Sequence, residues 1–417
     1  MNNANSSRPP RRPLAVFNHI GTAQLQLRNP FVAAFWSALF PGLGHILLSQ
    51  YLKGFVLFFW EVFINLKANV NLALMHALLG RFELSRDVVD IRWSLLYIPV
   101  YIFTVWDSYR AAVELNKQYI LAERENAPIG AFIINPVSVT YLDKRPPLLT
   151  AAWCAVSPGL SHMALHRLLH VVFMVFWWTV IVYQSNILTA LHLTCFGAFE
   201  NAKTALNPQW LMNIPSVFFF CVYAALVNAV ESNKLFDREQ SQFLKNNYQS
   251  AEFPYSPDSA DEEGAGMYVV SVFRQTVQVE LAVTALEQEG IPKMNLLAVP
   301  IEKKSSGKKL FDSMYSATGG SVFDLPMILG AFTALLGCVY GFVLEWGPVV
   351  WGVIGGVGGF GIGFFIKLLV LKKRKKAGCD NEVVIFVACG DNKTEQIRRI
   401  FSDNGALGTS IIKGRAD

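Results

Sequence analysis

The sequence predicts a polytopic α-helical membrane protein with a separate α+β domain in its C-terminal third. Three observations predict it. The 417 residues are 53% hydrophobic but only 16% charged, where soluble domains carry about 25% charged residues. Several apolar runs approach the roughly 20 residues that cross a bilayer as helix. The first half repeats itself, and the last third changes to strand and helix patterns of a globular domain.

The repeat sets the organisation. FPGLGH at Phe40–His45 returns as SPGLSH at Ser157–His162, 117 residues later. The same offset pairs Pro30 with Pro147, Trp36 with Trp153, Trp60 with Trp177, Asn69 with Asn186, Gly80 with Gly197 and Trp93 with Trp210. One residue drops out before Ile98-Pro99 meets Ile214-Pro215, and the register recovers at Glu114 and Glu231. This is the pattern of a tandem duplication. The chain reads as a disordered basic tail (1–28), a first membrane module (29–117), a linker (118–145), a second module (146–234), a second linker (235–266) and a C-terminal domain (267–417).

Each module has three apolar blocks, in the first copy Phe31–Leu48, Gly54 to about Leu79, and Trp93–Val113. The first block is broken by Pro41 and Gly42, and its counterpart by Pro158 and Gly159. A broken helix exposes backbone polar groups that lipid cannot satisfy, so the block either spans with a packed kink or dips in and returns. Basic residues fall in three places: Arg8, Arg11, Arg12 and Arg28; Lys117, Arg124, Lys144 and Arg145; Lys234, Arg238 and Lys245. The positive-inside rule puts all three on the cytoplasmic side. Each module then crosses an even number of times, the copies are parallel, and both termini are cytoplasmic. Asn116-Lys117 and Asn233-Lys234 are expected to end the exit helices. No small-residue cleavage site follows the first apolar run, so no cleaved signal peptide is expected.

Asn29-Pro30, Pro41-Gly42-Leu43-Gly44-His45 and Tyr51-Leu52-Lys53-Gly54 resemble the small bacterial TM2-type two-helix membrane module. Similar stretches open the permease subunits of some bacterial sugar importers. The second copy departs from the pattern, with Ser161 in place of Gly44 and His170-Val171 in place of Lys53-Gly54. The resemblance implies a membrane location and little about activity.

The C-terminal third alternates differently. Met267–Phe273 reads as a strand, and Thr276 opens a helix with Leu281, Ala282, Ala285 and Leu286 on one face and Gly290 at its end. Met294–Ile301 is a second strand. After an interruption come a strand at Glu382–Cys389, a helix opened by Thr394 and carrying Ile397, Ile400 and Phe401, a stop at Gly405, and a strand at Thr409–Lys413. Two βαβ halves make a ferredoxin-like sandwich. The interruption reads as a membrane hairpin, 325–371, turning at Trp346-Gly347-Pro348. Its return carries Gly352, Gly355, Gly356, Gly359 and Gly363, a glycine zipper facing Gly330, Ala334, Gly337 and Gly341 of the outgoing run. KKRKK at Lys372–Lys376 fixes the exit on the cytoplasmic side. A βαβ unit split by such a hairpin resembles the heat-induced and general stress protein family of the 17M type. That resemblance implies a stress-associated bacterial membrane protein.

Chemistry-bearing groups are sparse. His45 and His162 flank the two Pro-Gly breaks, where they either cap exposed backbone, sit at the membrane interface, ligate a metal or relay protons. Glu61 and Asp107 lie in apolar blocks, where carboxylates are functional candidates, although their repeat counterparts are Trp178 and Ala224. Glu61 is expected to pair with Lys67, and Asp107 with Arg110. Asn69 and Asn186 are candidates for hydrogen bonds between helices. GGVGGFG at Gly355–Gly361 lacks the strand and acidic residue of a dinucleotide fingerprint. The six cysteines have no metal spacing and read as free thiols. No cofactor, resident metal or nucleic-acid partner is expected. The expected function is a non-enzymatic plasma-membrane scaffold or sensor that contacts lipid and associates with other membrane proteins or itself. The alternative is a transport component whose duplicated modules line a path for a small solute or ion.

Overall fold

A computed structural model describes residues 11–18, 21–130, 132–134, 139–250, 253, 267–301, 320–372 and 381–413. The chain is mostly helical with small sheets. Among the described residues, Leu168–Ser185, Pro208–Tyr248, Asp324–Gly341 and Gly347–Val370 are long and apolar enough to cross a membrane, and two bent helix pairs raise the number from four to six. The chain divides into two compact units. One comprises Met1–Tyr141, Arg145–Glu231 and Leu310–Arg374; the other comprises Leu142–Lys144, Ser232–Lys309 and Lys375–Asp417.

The first unit opens with a hairpin, β1 (Ala15–Asn18) and β2 (Gly21–Gln24), paired Ala15 to Gln24. The tail expected to be disordered is therefore ordered over these residues, because Leu14, Ala15 and Phe17 bury their side chains. Residues 1–10, with Arg8, lie outside the described residues. Then come α1 (Pro30–Leu39), α2 (Leu43–Leu47), α3 (Tyr51–Ala68), α4 (Val70–Leu78), α5 (Phe82–Val88) and α6 (Ile91–Glu125). Asn29 caps α1 by accepting the Phe31 N–H at 3.0 Å, with Pro30 at the first helical position. A two-strand hairpin, β3 (Phe132–Ile134) and β4 (Val139–Tyr141), follows α6.

The second copy repeats these boundaries 117 residues on: α7 (Pro147–Val156), a 3-10 turn at Leu160–Met163 in place of α2, α8 (Leu168–Ser185), α9 (Ile187–Cys195) and α10 (Phe199–Ala205). The left-handed residues Gly42, Ser49, Asn69 and Gly80 recur as Gly159, His166, Asn186 and Gly197. These positions break the apolar blocks, so the second block is a pair of helices, α3 and α4, bent by 65° rather than one straight span. Asn69 makes that break; its Nδ2 donates to Val88 O at 3.2 Å.

The copies part where one residue is lost. The third block is one helix in the first copy, whereas the second has α11 (Pro208–Leu211) and α12 (Asn213–Tyr248). Neither exit helix stops at the shared Asn-Lys pair. Asn116 instead exchanges two hydrogen bonds with the Arg28 backbone, at 2.9 and 2.7 Å. Parts of both expected linkers are thus helical, 118–125 in α6 and 235–248 in α12. The unit's core gathers Trp36, Phe58, Met174, Phe220 and Tyr223 from both copies, with Trp36 and Phe220 rings 5.4 Å apart edge to face.

Helices α13 to α16 and strands β5 to β8 complete the chain: β5 (Met267–Arg274), α13 (Val277–Gln288), β6 (Leu296–Ile301), α14 (Asp324–Gly341), α15 (Gly347–Lys372), β7 (Glu382–Cys389), α16 (Thr394–Asp403) and β8 (Gly408–Lys413). Helices α14 and α15 form the hairpin within the first unit, turning at Gly347 (φ +76°). A Cβ on Gly337, Gly355 or Gly359 would collide with the facing helix, and one on Gly363 would lie 2.7 Å from Pro326 Cα. A Cβ on Gly352 would meet Cys338 Sγ at 2.6 Å, whereas Gly356 faces Phe219 of α12. The Thr333 hydroxyl donates to Gly355 O at 2.6 Å. Positions 373–376 of KKRKK lie outside the described residues.

The second unit holds an antiparallel sheet in the order β6-β7-β5-β8. Alternate residues of β5 and β7 (Val269, Phe273, Val383, Ile385, Val387) pack with Val279, Val283, Leu286, Ile397 and Phe401 of α13 and α16. The buried face of α13 is rotated from expectation: Val279 and Val283 are inside, while Leu281 is 55% exposed. The Thr276 hydroxyl approaches Arg274 O at 3.4 Å and makes no bond into α13. The first residues of the expected second strand, Met294 and Asn295, belong to a 3-10 turn. The end of α12 belongs to this unit, where Lys144 pairs with Asp237 at 2.5 Å and Gln240 Nε2 donates to Glu280 at 2.6 Å.

Candidate functional site

Two polar clusters are buried among the apolar helices of the first unit. The first forms because the Pro41-Gly42 break ends α1 and restarts the chain as the single turn of α2. That turn points His45 inward, fully buried. Its Nε2 lies 2.9 Å from Oδ2 of Asp107 on α6. Lys53, at the start of α3, forms an ion pair with the same oxygen, and Arg110 donates to Oδ1 at 3.1 Å. Asp107 is itself fully buried, so three donors enclose one carboxylate. Lys53 and Arg110 are about half exposed, and the Arg110 guanidinium lies 5.0 Å from the Trp106 ring centre. The expected Asp107–Arg110 pair is present, and His45 holds a side chain rather than the broken backbone.

The equivalent place in the second copy has no carboxylate. His162 stacks on His170, ring centres 4.1 Å apart, and Ala224 and Val227 stand where the first copy has Asp107 and Arg110. Among the described residues both ring nitrogens of His170 are buried without a hydrogen-bond partner, and the buried His162 ring lies beside the Cys154 thiol. The two Pro-Gly histidines therefore serve different surroundings. Among the described residues, no group of three or more His, Cys, Asp or Glu is arranged to hold a metal ion.

The second cluster surrounds Glu61. Its Oε1 accepts from Asn65 Nδ2 at 2.9 Å, one turn on, not from the expected Lys67, which is exposed. Asn65 Nδ2 also donates to Asn71 Oδ1 at 3.1 Å. Gln209 Nε2 reaches back from α11 to Asn65 O and Oδ1, at 2.8 and 2.7 Å. Asn71 Nδ2 donates to Gln209 O and to Asn213 Oδ1, both at 2.9 Å. The amides thus join α3 and α4 of the first copy to α11 and α12 of the second.

Lys53, Asn65, Asn71, Gln209 and Asn213 escaped the sequence reading. A signal was present: at the repeat offset Asn65, Asn71 and Gln209 face Val182, Leu188 and Arg92. The amides that bond across the copies stand at positions where the copies differ, whereas the shared Trp36 packs across them on Phe220. Arg28 also defied its apparent place in a solvated tail. It is 2% exposed, and its guanidinium bonds Gln26 and, at 3.0 Å, Asn228. Burial pulls its basicity below the ordinary arginine value, opposed by Tyr223, Glu231 and Asp324 nearby. The Tyr223 hydroxyl donates to Asp324 at 2.9 Å.

No family model, curated protein sequence or solved structure matches this chain.

Proposed function

We propose that the chain is a non-enzymatic, multi-pass scaffold of the plasma membrane that holds a ferredoxin-like domain at the cytoplasmic face. The observation that carries this reading is the pairing of β6 with β7. The chain leaves the sheet at Ile301 and re-enters at Glu382 as its direct antiparallel partner, with α14 and α15 between. A hairpin that crosses twice meets that requirement, because both βαβ halves then lie on one side. The sheet order and the two helices on one face support the ferredoxin-like sandwich. The close approach of the glycines to the facing helix supports a zipper. The resemblances to the TM2-type module and to the stress-protein family belong to this proposal, as do lipid and other membrane proteins, or a second copy, as partners.

Sealed cells test the arrangement. Cysteines engineered near Arg86, Lys203 and Gly347 label from outside; those near Asn126 and Lys245 do not. Labelling at Asn126 overturns the even crossing of each module, and failure to label at Gly347 overturns the hairpin that puts both halves of the sheet on one side.

One observation favours a transport component instead: the buried carboxylate of Asp107 with half-exposed basic partners. Purified protein in sealed liposomes separates the readings. Ion or solute flux that disappears in Asp107→Asn overturns the scaffold, and its absence supports it.

A further inference from the structure

Glu61 is 4% exposed on α3. Its Oε1 accepts the Asn65 amide, Oε2 has no partner within close hydrogen-bond distance among the described residues, and the Tyr97 hydroxyl of α6 lies beside the carboxyl as a further hydrogen-bonding neighbour. The groups that interact with it are Asn65 on its own helix and Tyr97 and Tyr101 on α6, and Asn65 in turn bonds Asn71 on α4 and Gln209 on α11, with Asn213 on α12 bonded to Asn71. No Lys, Arg or His forms an ion pair with it among the described residues.

A bare carboxylate in such surroundings is uncompensated, and isolated buried charges are avoided unless paired or neutralised. A metal ion is a poor neutraliser here, because hard cations need six or more oxygen ligands, or an octahedron with water. The amide oxygens nearby already accept hydrogen bonds. Asn65 Oδ1 accepts from Asn71 N and Gln209 Nε2, Asn71 Oδ1 from Asn65 Nδ2, and Gln209 Oε1 from Leu72 N at 2.8 Å. A proton needs one oxygen, and one is open.

We propose that Glu61 is a proton-binding site that controls the joint between the two membrane modules. In the closed arrangement Oε2 carries the proton of a neutral carboxylic acid. On release the O–H bond breaks, the proton passes to water, and the electron pair stays on the carboxylate. The new charge draws Asn65 Nδ2 from Asn71 Oδ1 and admits water, so Asn65, Asn71 and Gln209 lose their mutual bonds. The repeat counterpart, Trp178, has no such group, so the control acts on this one joint.

The full chain in lipid nanodiscs is examined by infrared difference spectroscopy across pH. The expected result is a protonated-carboxyl carbonyl band at neutral pH that vanishes on alkalinisation. It is absent at every pH in Glu61→Gln, whose amide still accepts from Asn65, and shifted in Glu61→Asp. Hydrogen exchange at Leu72, measured by NMR in the same discs, is expected to be faster in the wild type than in Glu61→Gln at alkaline pH and equal at acidic pH. A band unchanged in both variants overturns the site, as does a wild type with no such band. Exchange that is equal at every pH overturns the control of the joint. If Glu61→Gln does not fold, the Asp variant decides: a shifted band supports the site and an unmoved band overturns it.

Discussion

His45 Nε2 and Asp107 Oδ2 meet at 2.9 Å although 62 residues separate them in the chain. The contact exists because Gly42 adopts φ +96° and turns α2 back against α6. Asp107→Ala leaves a buried imidazole without its partner and frees Lys53 and Arg110. It is expected to cost about 1–3 kcal/mol, the penalty of an orphaned buried polar group. Asp107→Asn keeps an acceptor for His45 and should cost less. Thermal melting in detergent, read by circular dichroism, ranks the two.

The amide joint makes a second test. Gln209→Leu removes the acceptor of the Leu72 N–H and both donors to Asn65. A loss of about 1–3 kcal/mol is expected. Arg92→Leu, at the repeat counterpart and exposed, should change the melting temperature little. Equal shifts would show that the joint adds no stability.

Two left-handed glycines should respond unequally to alanine. At Gly42 the new Cβ meets Gly54 O and lies 2.8 Å from Phe58 N, whereas at Gly80 (φ +74°) it meets nothing within 4 Å. Gly80→Ala carries only the backbone term, about 1–2 kcal/mol. Gly42→Ala adds a clash between α2 and α3 that only backbone movement relieves, so its loss should be several-fold larger. Expression and melting of the two variants check the order.

In the hairpin, Gly359→Leu drives a side chain into Thr333 and Leu329 of α14, while Val357 is 69% exposed. Overpacking costs about 1–3 kcal/mol, so Gly359→Leu should melt earlier and Val357→Leu should match the wild type. Strands β6 and β7 are joined through this hairpin, and limited proteolysis is expected to cut the sheet faster only in the glycine variant. Equal resistance would mean that the glycine face does not organise the sheet.

His166 supplies a pH dependence. Its backbone carbonyl accepts the Thr22 N–H at 3.0 Å. Burial first, and then the charge of Arg145, holds its imidazole below the ordinary value. The unfolded chain therefore binds the proton more readily. This contribution to stability is complete above about pH 6.5 and falls as the pH drops through that value. His166→Asn, which tolerates the residue's φ of +52°, should flatten the melting curve of stability against pH below neutrality. An unchanged acid slope would exclude His166 as a source.

The sequence by itself determined what is local or repeated. Strands β5 and β7 follow from short apolar, Val-rich runs, and Gly290 and Gly405, both left-handed, stop α13 and α16. The offset of 117 residues carries Gly42, Asn69 and Gly80 onto Gly159, Asn186 and Gly197, so one set of chain breaks predicts the other. Such features depend on backbone sterics and on which face of an element is apolar, and these are written within a few residues. Tertiary structure alone decided which polar side chains meet across helices. Arg28 reads as one more tail cation until Gln26 and Asn228 enclose it. Glu61 does not meet the expected Lys67, which at six residues lies off its helix face, but bonds Asn65, which in turn bonds Gln209 of the other copy. Glu61–Asn65 and Asp107–Arg110 keep helical spacing, but His45 with Asp107, Asn65 with Gln209 and Arg28 with Asn228 meet across helices at sequence distances that no local period encodes.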